Sequence, residues 1–183
     1  MALKATVHRA TLQVSDLDRH YYATHTLTLA QHPSETDARV MVRVLAFGLF
    51  AEERLEFGRG ISSEGDPDLW LRSLTGEIEH WIELGQPDEA SVRRACGRAR
   101  RVTVMGYSGR GFGPWWEKNA AALARCSNLG VVELPTGTAE VLGTLLARGM
   151  DLQCIVQEGE VQLMGEGGSV SVAPVWHQRP AGG

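Results

Sequence analysis

The stretch PDLWLRSLTGEIEHWIELGQPD, Pro67 to Asp88, decides how this chain reads as a fold. Leu69-Trp70-Leu71 is a short extended piece, and Glu77 to Leu84 is a stronger strand closed by Gly85. Asp88 then stands where a carboxylate can accept from the free N–H groups that open a helix. That helix covers 89–99, because Val92, Ala95, Cys96 and Ala99 fall on one face at helical spacing. Upstream, Leu55-Glu56-Phe57 is another extended piece. Before it, a helix opens at His32-Pro33-Ser34, with Ser34 as its cap and Asp37 at the capping-box acid position. Downstream, Val102 to Tyr107 reads as a buried strand. From about 34 to 107 the order is therefore α-β-β-β-α-β. A strand-helix-strand passage implies a right-handed parallel crossover, and so an α/β fold with a mixed sheet.

The flanks add strands. Residues 3–14 and 20–30 are rich in Thr, Val and Tyr around the turn residues Ser15 to Asp18, and form a β-hairpin. A helix over 114–125, a strand over 131–134 and a helix over 138–148 follow. Residues 151–173 make a hairpin or meander turning near Glu158-Gly159. No repeat or low-complexity block interrupts the chain. Residues 1–175 are expected to form one domain and 176–183, WHQRPAGG, a flexible tail.

The 183 residues are 43% hydrophobic and 22% charged, in the range of a globular domain. No apolar run reaches the roughly 20 residues of a membrane span, and the N-terminus lacks the apolar stretch of a signal peptide. A cytoplasmic monomer that touches no membrane is the expectation. Cys96, Cys126 and Cys154 are odd in number and far apart in sequence, so they read as small hydrophobes rather than a disulfide framework or metal knuckle. A net charge of −4 rules out a protein coated in phosphate-binding cations while leaving room for a local basic face. Lys4 and Lys118 are the only lysines.

Acids concentrate on the middle strands. On a strand alternate residues share a face, so Glu77, Glu79, Trp81 and Glu83 point one way and Ile78, His80, Ile82 and Leu84 the other. Three carboxylates beside Asp68 repel one another unless they are solvated or hold a cation, and Mg²⁺ takes such oxygen ligands. Glu77 and Glu79 suit a wet sheet surface. Asp68 and Glu83 suit a site, since Glu83 ends an otherwise apolar strand just before a Gly-Gln-Pro turn.

The segments Pro67 to Trp70 and Thr75 to Asp88 resemble the signature of the YaeQ family. So do Asp18 to Tyr22, His32 to Thr36 and Ala95 to Ala99, and the resemblance spans roughly 1–173. It implies a restriction-endonuclease-like core in the same α-β-β-β-α-β order, with an added N-terminal β-hairpin and C-terminal strands. It also implies a variant of the PD-(D/E)XK nucleases, in which two acids bind Mg²⁺ and a lysine helps activate water. Carried over, Pro67-Asp68 is the PD and Glu83 the second acid, so Asp68 and Glu83 are the expected ligands of Mg²⁺ or Mn²⁺. Glu35 corresponds to an assisting acid. The pattern breaks at the lysine: Gly85 falls in its place and Gln86 one position late. A bulge at Gly85 brings Gln86 onto the site face, where it can orient water but adds no positive charge. Lys118 reads as an exposed helical lysine.

Arg93, Arg94, Arg98, Arg100 and Arg101 crowd nine positions, and Arg94, Arg98 and Arg101 share one side at helical spacing. Arginine forks suit phosphate oxygens, so DNA or RNA is the partner this patch implies, against the plainer reading of a solvated helix face. Trp115 and Trp116 read as packing residues, and His8, His20, His25 and His80 lack ligand spacing. Two functions follow. One is a Mg²⁺-dependent nuclease or phosphodiesterase lacking the motif lysine. The other is an inactive nucleic-acid- or protein-binding module, in transcription for example, that keeps the fold without the chemistry.

Overall fold

Two long strands open the chain in the computed structural model, which describes residues 4–60 and 65–182. β1 (Thr6–Asp16) and β2 (Tyr21–Gln31) form the expected antiparallel hairpin, with His8, Ala10, Leu12 and Val14 alternating inward. Leu3, where the sequence reading starts the first strand, lies outside the described residues. The second half of the chain completes this sheet. β8 (Gly149–Gln157) runs parallel to β1, and β9 (Glu160–Gly165) and β10 (Gly168–Val172) add antiparallel edges. The order is β10-β9-β8-β1-β2.

The second sheet contains β3 (Leu55–Phe57), β4 (Leu69–Arg72), β5 (Ile78–Leu84), β6 (Ala99–Gly106), β7 (Leu129–Glu133) and β11 (Val175–Gln178). Its order is β11-β7-β6-β5-β4-β3. β5, β6 and β7 are parallel, linked by α2 (Glu89–Arg98) and α3 (Phe112–Leu123), while the outer strands are antiparallel. The mixed α/β sheet read from the sequence is present, in the observed order α1, β3, β4, β5, α2, β6.

Between the sheets runs α1 (Asp37–Leu49), whose residues Val40 to Gly48 are all buried. A helix apolar all round has to be enclosed, and here the two sheets enclose it. It starts later than Ser34. The His32 ring Nδ1 bonds the Ser34 hydroxyl at 2.7 Å, so Ser34 is tied into its own turn. Thr36 caps the helix instead, its hydroxyl accepting from the Arg39 N–H at 3.1 Å. α4 (Thr138–Gly143) packs beside α1 and is shorter than the expected 138–148, because tight turns at Thr144 to Leu146 carry the chain into β8. A second apolar core lies on the other face of the sheet under α2 and α3, built on Trp81, Val92, Val102, Val104, Phe112 and Leu129. Cys96 and Cys126 meet at its edge, and burial pushes the Cys96 thiol up to about 12.

β5 departs from regular alternation. Against β4, Leu71 pairs with His80 but Arg72 with Ile78, so Glu79 is one residue extra. This bulge turns Ile78 toward the α2–α3 core and Glu79 to the opposite face beside His80. Glu79 pairs with Arg54 at 3.6 Å, and Glu77, ahead of the strand, with Arg100 at 2.6 Å. The expected row of three carboxylates on one face does not form.

The end of the chain also corrects the expectation of a flexible tail from 176. β11 pairs with β7, and Trp176 lies 3.0 Å from where a side chain on Gly130 would begin. The Gln178 amide donates to the carbonyls of Leu123, Cys126 and Leu129 at 3.1–3.3 Å. A Trp and an amide, dismissed in a short polar segment, find a groove and three carbonyl acceptors there. Gln178→Ala should therefore cost about 1 to 2 kcal/mol in thermal or urea unfolding, by removing the amide that ties the chain end to this turn. A free tail predicts no change.

Candidate functional site

The N-terminal end of α1 faces the C-terminal end of β5, and charged side chains fill the gap. Asp68 opens β4, and its position is fixed from both sides. Its N–H donates to the Ile82 carbonyl at 3.0 Å, and its carbonyl accepts from Gly58 N–H at 2.9 Å. Gly58 has no alternative residue: a Cβ there would lie 1.9 Å from the Pro67 carbonyl oxygen. The Asp68 carboxylate accepts from the Leu84 N–H at 2.7 Å through Oδ2 and from Arg39 Nη2 at 2.6 Å through Oδ1. Arg39 also reaches Glu35 at 3.3 Å, and Arg43, one turn further along α1, holds Glu35 at 2.5 Å. The Glu35 and Arg43 side chains are 1% and 4% exposed. Charges so buried are tolerated only when paired, and here each has its partner.

Glu83 completes the group. Its Oε1 accepts from Trp81 Nε1 at 3.0 Å. Burial, then the neighbouring Asp68 carboxylate, pushes the Glu83 carboxyl up to about 7, against the pull of Trp81 and Arg39. The two carboxyl groups are close enough to share a hydrogen bond. For Arg39, burial opposes the charge, but Asp68, Tyr107 and Glu35 more than offset it, so its pKa is raised. Tyr107, just past β6, sits over Gly85, and burial raises its phenol while Arg39 works the other way. The cluster is thus two arginines balanced by Glu35 and Asp68, with Glu83 as the one carboxyl whose charge is unmatched.

The sequence-derived site residues are partly assembled by the fold. Asp68, Glu83 and Glu35 converge on Arg39. Gln86 does not join them through any hydrogen bond. Gly85 has φ +100°, and the chain turns so that the Gln86 amide donates to the Ser108 hydroxyl. Lys118 is exposed on α3 and makes no hydrogen bond or ion pair among the described residues. The arginine row is split, because α2 ends at Arg98 and Arg101 lies on β6, facing the opposite side. Arg94 and Arg98 remain exposed on α2, Arg98 stacked on Trp81 at 5.1 Å. Arg39 and Tyr107 escaped the sequence reading. The signal for Arg39 was legible: Glu35, Arg39 and Arg43 are spaced one helical turn apart in an otherwise apolar run. Tyr107 carried no such mark.

Among the described residues no group of three or more His, Cys, Asp or Glu side chains is placed to hold a metal. The donor set is a pair of hard oxygen ligands, Asp68 and Glu83. That pair fits Mg²⁺ in the form it usually takes in proteins, with one or two carboxylates and the rest of its shell from water and substrate phosphate. It does not fit a dedicated protein cage.

Fold and site together define an α/β protein with two mixed sheets around a buried helix, and a carboxylate–arginine cluster where that helix meets the central parallel strand. The chain belongs to the YaeQ family: residues 1–174 match the family described as YaeQ protein. It is 40% identical over 181 residues to the uncharacterized protein YaeQ of Salmonella typhi, and 39% identical to that of Escherichia coli K12. Each match covers 99% of this chain and all of the relative. The crystal structure of YaeQ from Xanthomonas axonopodis pv. citri superposes with a TM-score of 0.94 at 56% identity, covering 96% of this chain and 99% of that one. YaeQ from Pseudomonas syringae superposes at 0.91 with 32% identity, covering 97% and 98%. Among the described residues no helix is long and apolar enough to cross a membrane.

A carboxyl raised from 4.5 to about 7 in the folded state stabilises the fold below pH 4.5, and that stability is lost as pH rises through 7. The full difference is at most about 3 kcal/mol, less where solvent reaches Glu83. Glu83→Gln should therefore be neutral or slightly destabilising at pH 5 and stabilising relative to wild type at pH 8, read by chemical denaturation at both pH values. Parallel curves at the two pH values sink this account of Glu83.

Proposed function

We propose that this protein is a metal-assisted phosphodiesterase acting on DNA or RNA, a variant of the PD-(D/E)XK nucleases. The observation that carries the reading is the meeting of Asp68 and Glu83 beside the Arg39 guanidinium. Two adjoining acids, one of them with its proton held to about pH 7, form a place where a divalent cation relieves electrostatic strain. Mg²⁺ or Mn²⁺ bound there would supply the charge that polarises a phosphodiester and acidifies its attacking water.

The chain's own residues have separate tasks in this reading. Asp68, pinned by the Leu84 N–H, is the fixed ligand. Glu83 is the second ligand and loses its proton to become one. Arg39 carries the positive charge that the missing lysine would have brought, placed from α1 rather than from the strand. Glu35 and Arg43 hold that guanidinium in place. Gln86, turned to Ser108, orients water only after the loop at Gly85 shifts. The exposed Arg94 and Arg98 grip phosphates further along the strand of nucleic acid.

One observation favours the binding-module alternative: both Asp68 oxygens already have partners in Arg39 and the Leu84 amide. The decisive experiment measures cleavage of single- and double-stranded DNA and RNA with Mg²⁺ and with Mn²⁺. It compares wild type, Asp68→Asn, Glu83→Gln and Arg39→Lys. The expected result is slow metal-dependent cleavage in wild type, reduced by about a hundredfold or more in Asp68→Asn and Glu83→Gln and only partly in Arg39→Lys. Cleavage unaffected by Glu83→Gln rejects the site. No cleavage with either metal, together with retained nucleic-acid binding, establishes the module.

The binding half has its own test. Arg94→Ala with Arg98→Ala should weaken nucleic-acid binding and flatten the dependence of log affinity on log salt by about two. An unchanged slope moves the nucleic-acid surface off α2.

A further inference from the structure

At the other end of α1 and β5, away from the carboxylate cluster, a cleft of about 340 Å³ opens between the two sheets. That volume is in the range of small-molecule sites. Its floor is apolar, with Phe50 and Leu71 near Trp176. Its rim carries four acids, and each is already engaged. Asp16, 1% exposed, accepts from the Arg19 backbone N–H and Nε at 2.9 and 2.7 Å. Asp18 accepts from the backbone N–H groups of Glu158 and Gly159 at 2.7 and 2.9 Å. Glu52 meets Arg19 at 3.4 Å and Glu79 meets Arg54 at 3.6 Å.

The cations of the cleft are not matched in the same way. Arg19 is used twice over by Asp16 and Glu52. Arg101, on β6, lines the same space and makes no hydrogen bond or ion pair among the described residues. Burial and the nearby Arg19 charge both work against its own charge, with Glu52 only partly compensating. Arg179 reaches in from beyond β11 and lies over the Trp176 ring at 4.8 Å. The bulge at Glu79 keeps the wall of this cleft in place, since it turns that residue to the Arg54 side and leaves His80 packed edge-on against Phe50. His80 is held neutral, its pKa taken down to about 3 chiefly by burial, so it adds no competing cation.

We propose that this cleft binds a small organic anion, its charged group gripped by Arg101 with help from Arg179 and its apolar body seated against Phe50, Leu71 and Trp176. A guanidinium fork offers paired donors to two oxygens of either a tetrahedral phosphate or a planar carboxylate. The apolar floor makes an anion with an attached ring a better fit than a bare ion, because the body covers surface that Arg101 alone cannot. This site is independent of the phosphodiesterase reading, for none of its residues touches Asp68 or Glu83.

The test titrates the whole protein with 5′-AMP, benzoate and inorganic phosphate at up to millimolar concentration. Amide and indole NMR shifts, including the Trp176 Nε1–H, report the binding. AMP or benzoate should perturb Trp176 and bind more tightly than inorganic phosphate, and which of the two binds better tells phosphate from carboxylate. Arg101→Ala, which removes no hydrogen bond or ion pair among the described residues, should leave the fold intact and weaken that binding by about tenfold or more, the scale of one charge-assisted hydrogen bond. Asp68→Asn should leave it unchanged. The proposal is overturned if none of the three probes shifts Trp176, if binding survives Arg101→Ala undiminished, or if inorganic phosphate alone binds as tightly as the ringed anions.

Discussion

α1 has no face left for water, and that constraint organises everything around it. Nine consecutive residues, Val40 to Gly48, are buried between two sheets, and Arg43 is among them. A guanidinium so placed has to find carboxylate and carbonyl partners inside the protein. Arg43 takes Glu35 and the Ala30 carbonyl, and Arg39, one turn back, takes Glu35 and Asp68. The start of β4 is thereby tied to the start of α1. Removing one member leaves an unpaired buried charge, a far larger penalty than the modest net worth of an intact pair. The cluster therefore serves the architecture whatever chemistry it supports.

The strand and helix pattern of the first 107 residues was legible because each segment declares its own period. The helix over 89–99 and the strand before it needed no long-range information. What failed was decided by partners distant in sequence. Ser34 looked like the better cap until His32 claimed its hydroxyl. Arg101 continued the helical row of Arg94 and Arg98 until β6 began at Ala99. Glu79 belonged to a face with Glu83 until β4 imposed a bulge. Trp176 and Gln178 looked like the start of a polar end, yet the groove beside β7 exists only once the sheet is assembled.

The site shows the same division. Asp68 and Glu83 stood out as acids at the edges of apolar strands, and the fold brings them together. The positive charge beside them comes from Arg39 on α1, 29 residues before Asp68, so counting along the strand from Glu83 could not reach it. Gly85, read as a defect in a motif, has a structural use of its own. Its positive φ turns the chain so that Gln86 meets Ser108.

The parallel pairing of β1 with β8 has a consequence for synthesis. β1 occupies residues 6–16, and its neighbour begins at Gly149. As the chain leaves the ribosome, α1 follows the first hairpin directly and can cover the apolar face of Leu12 and Leu29, but one edge of β1 stays unsatisfied until residues 149–157 have been made. A nascent chain in that condition can pair with the wrong strand or with another copy. On β2, at the opposite edge, Thr24, Thr26 and Thr28 are exposed and keep the outer face of the hairpin polar. Closure of the first sheet therefore waits for β8 and joins strands far apart in the sequence, the kind of contact that slows folding.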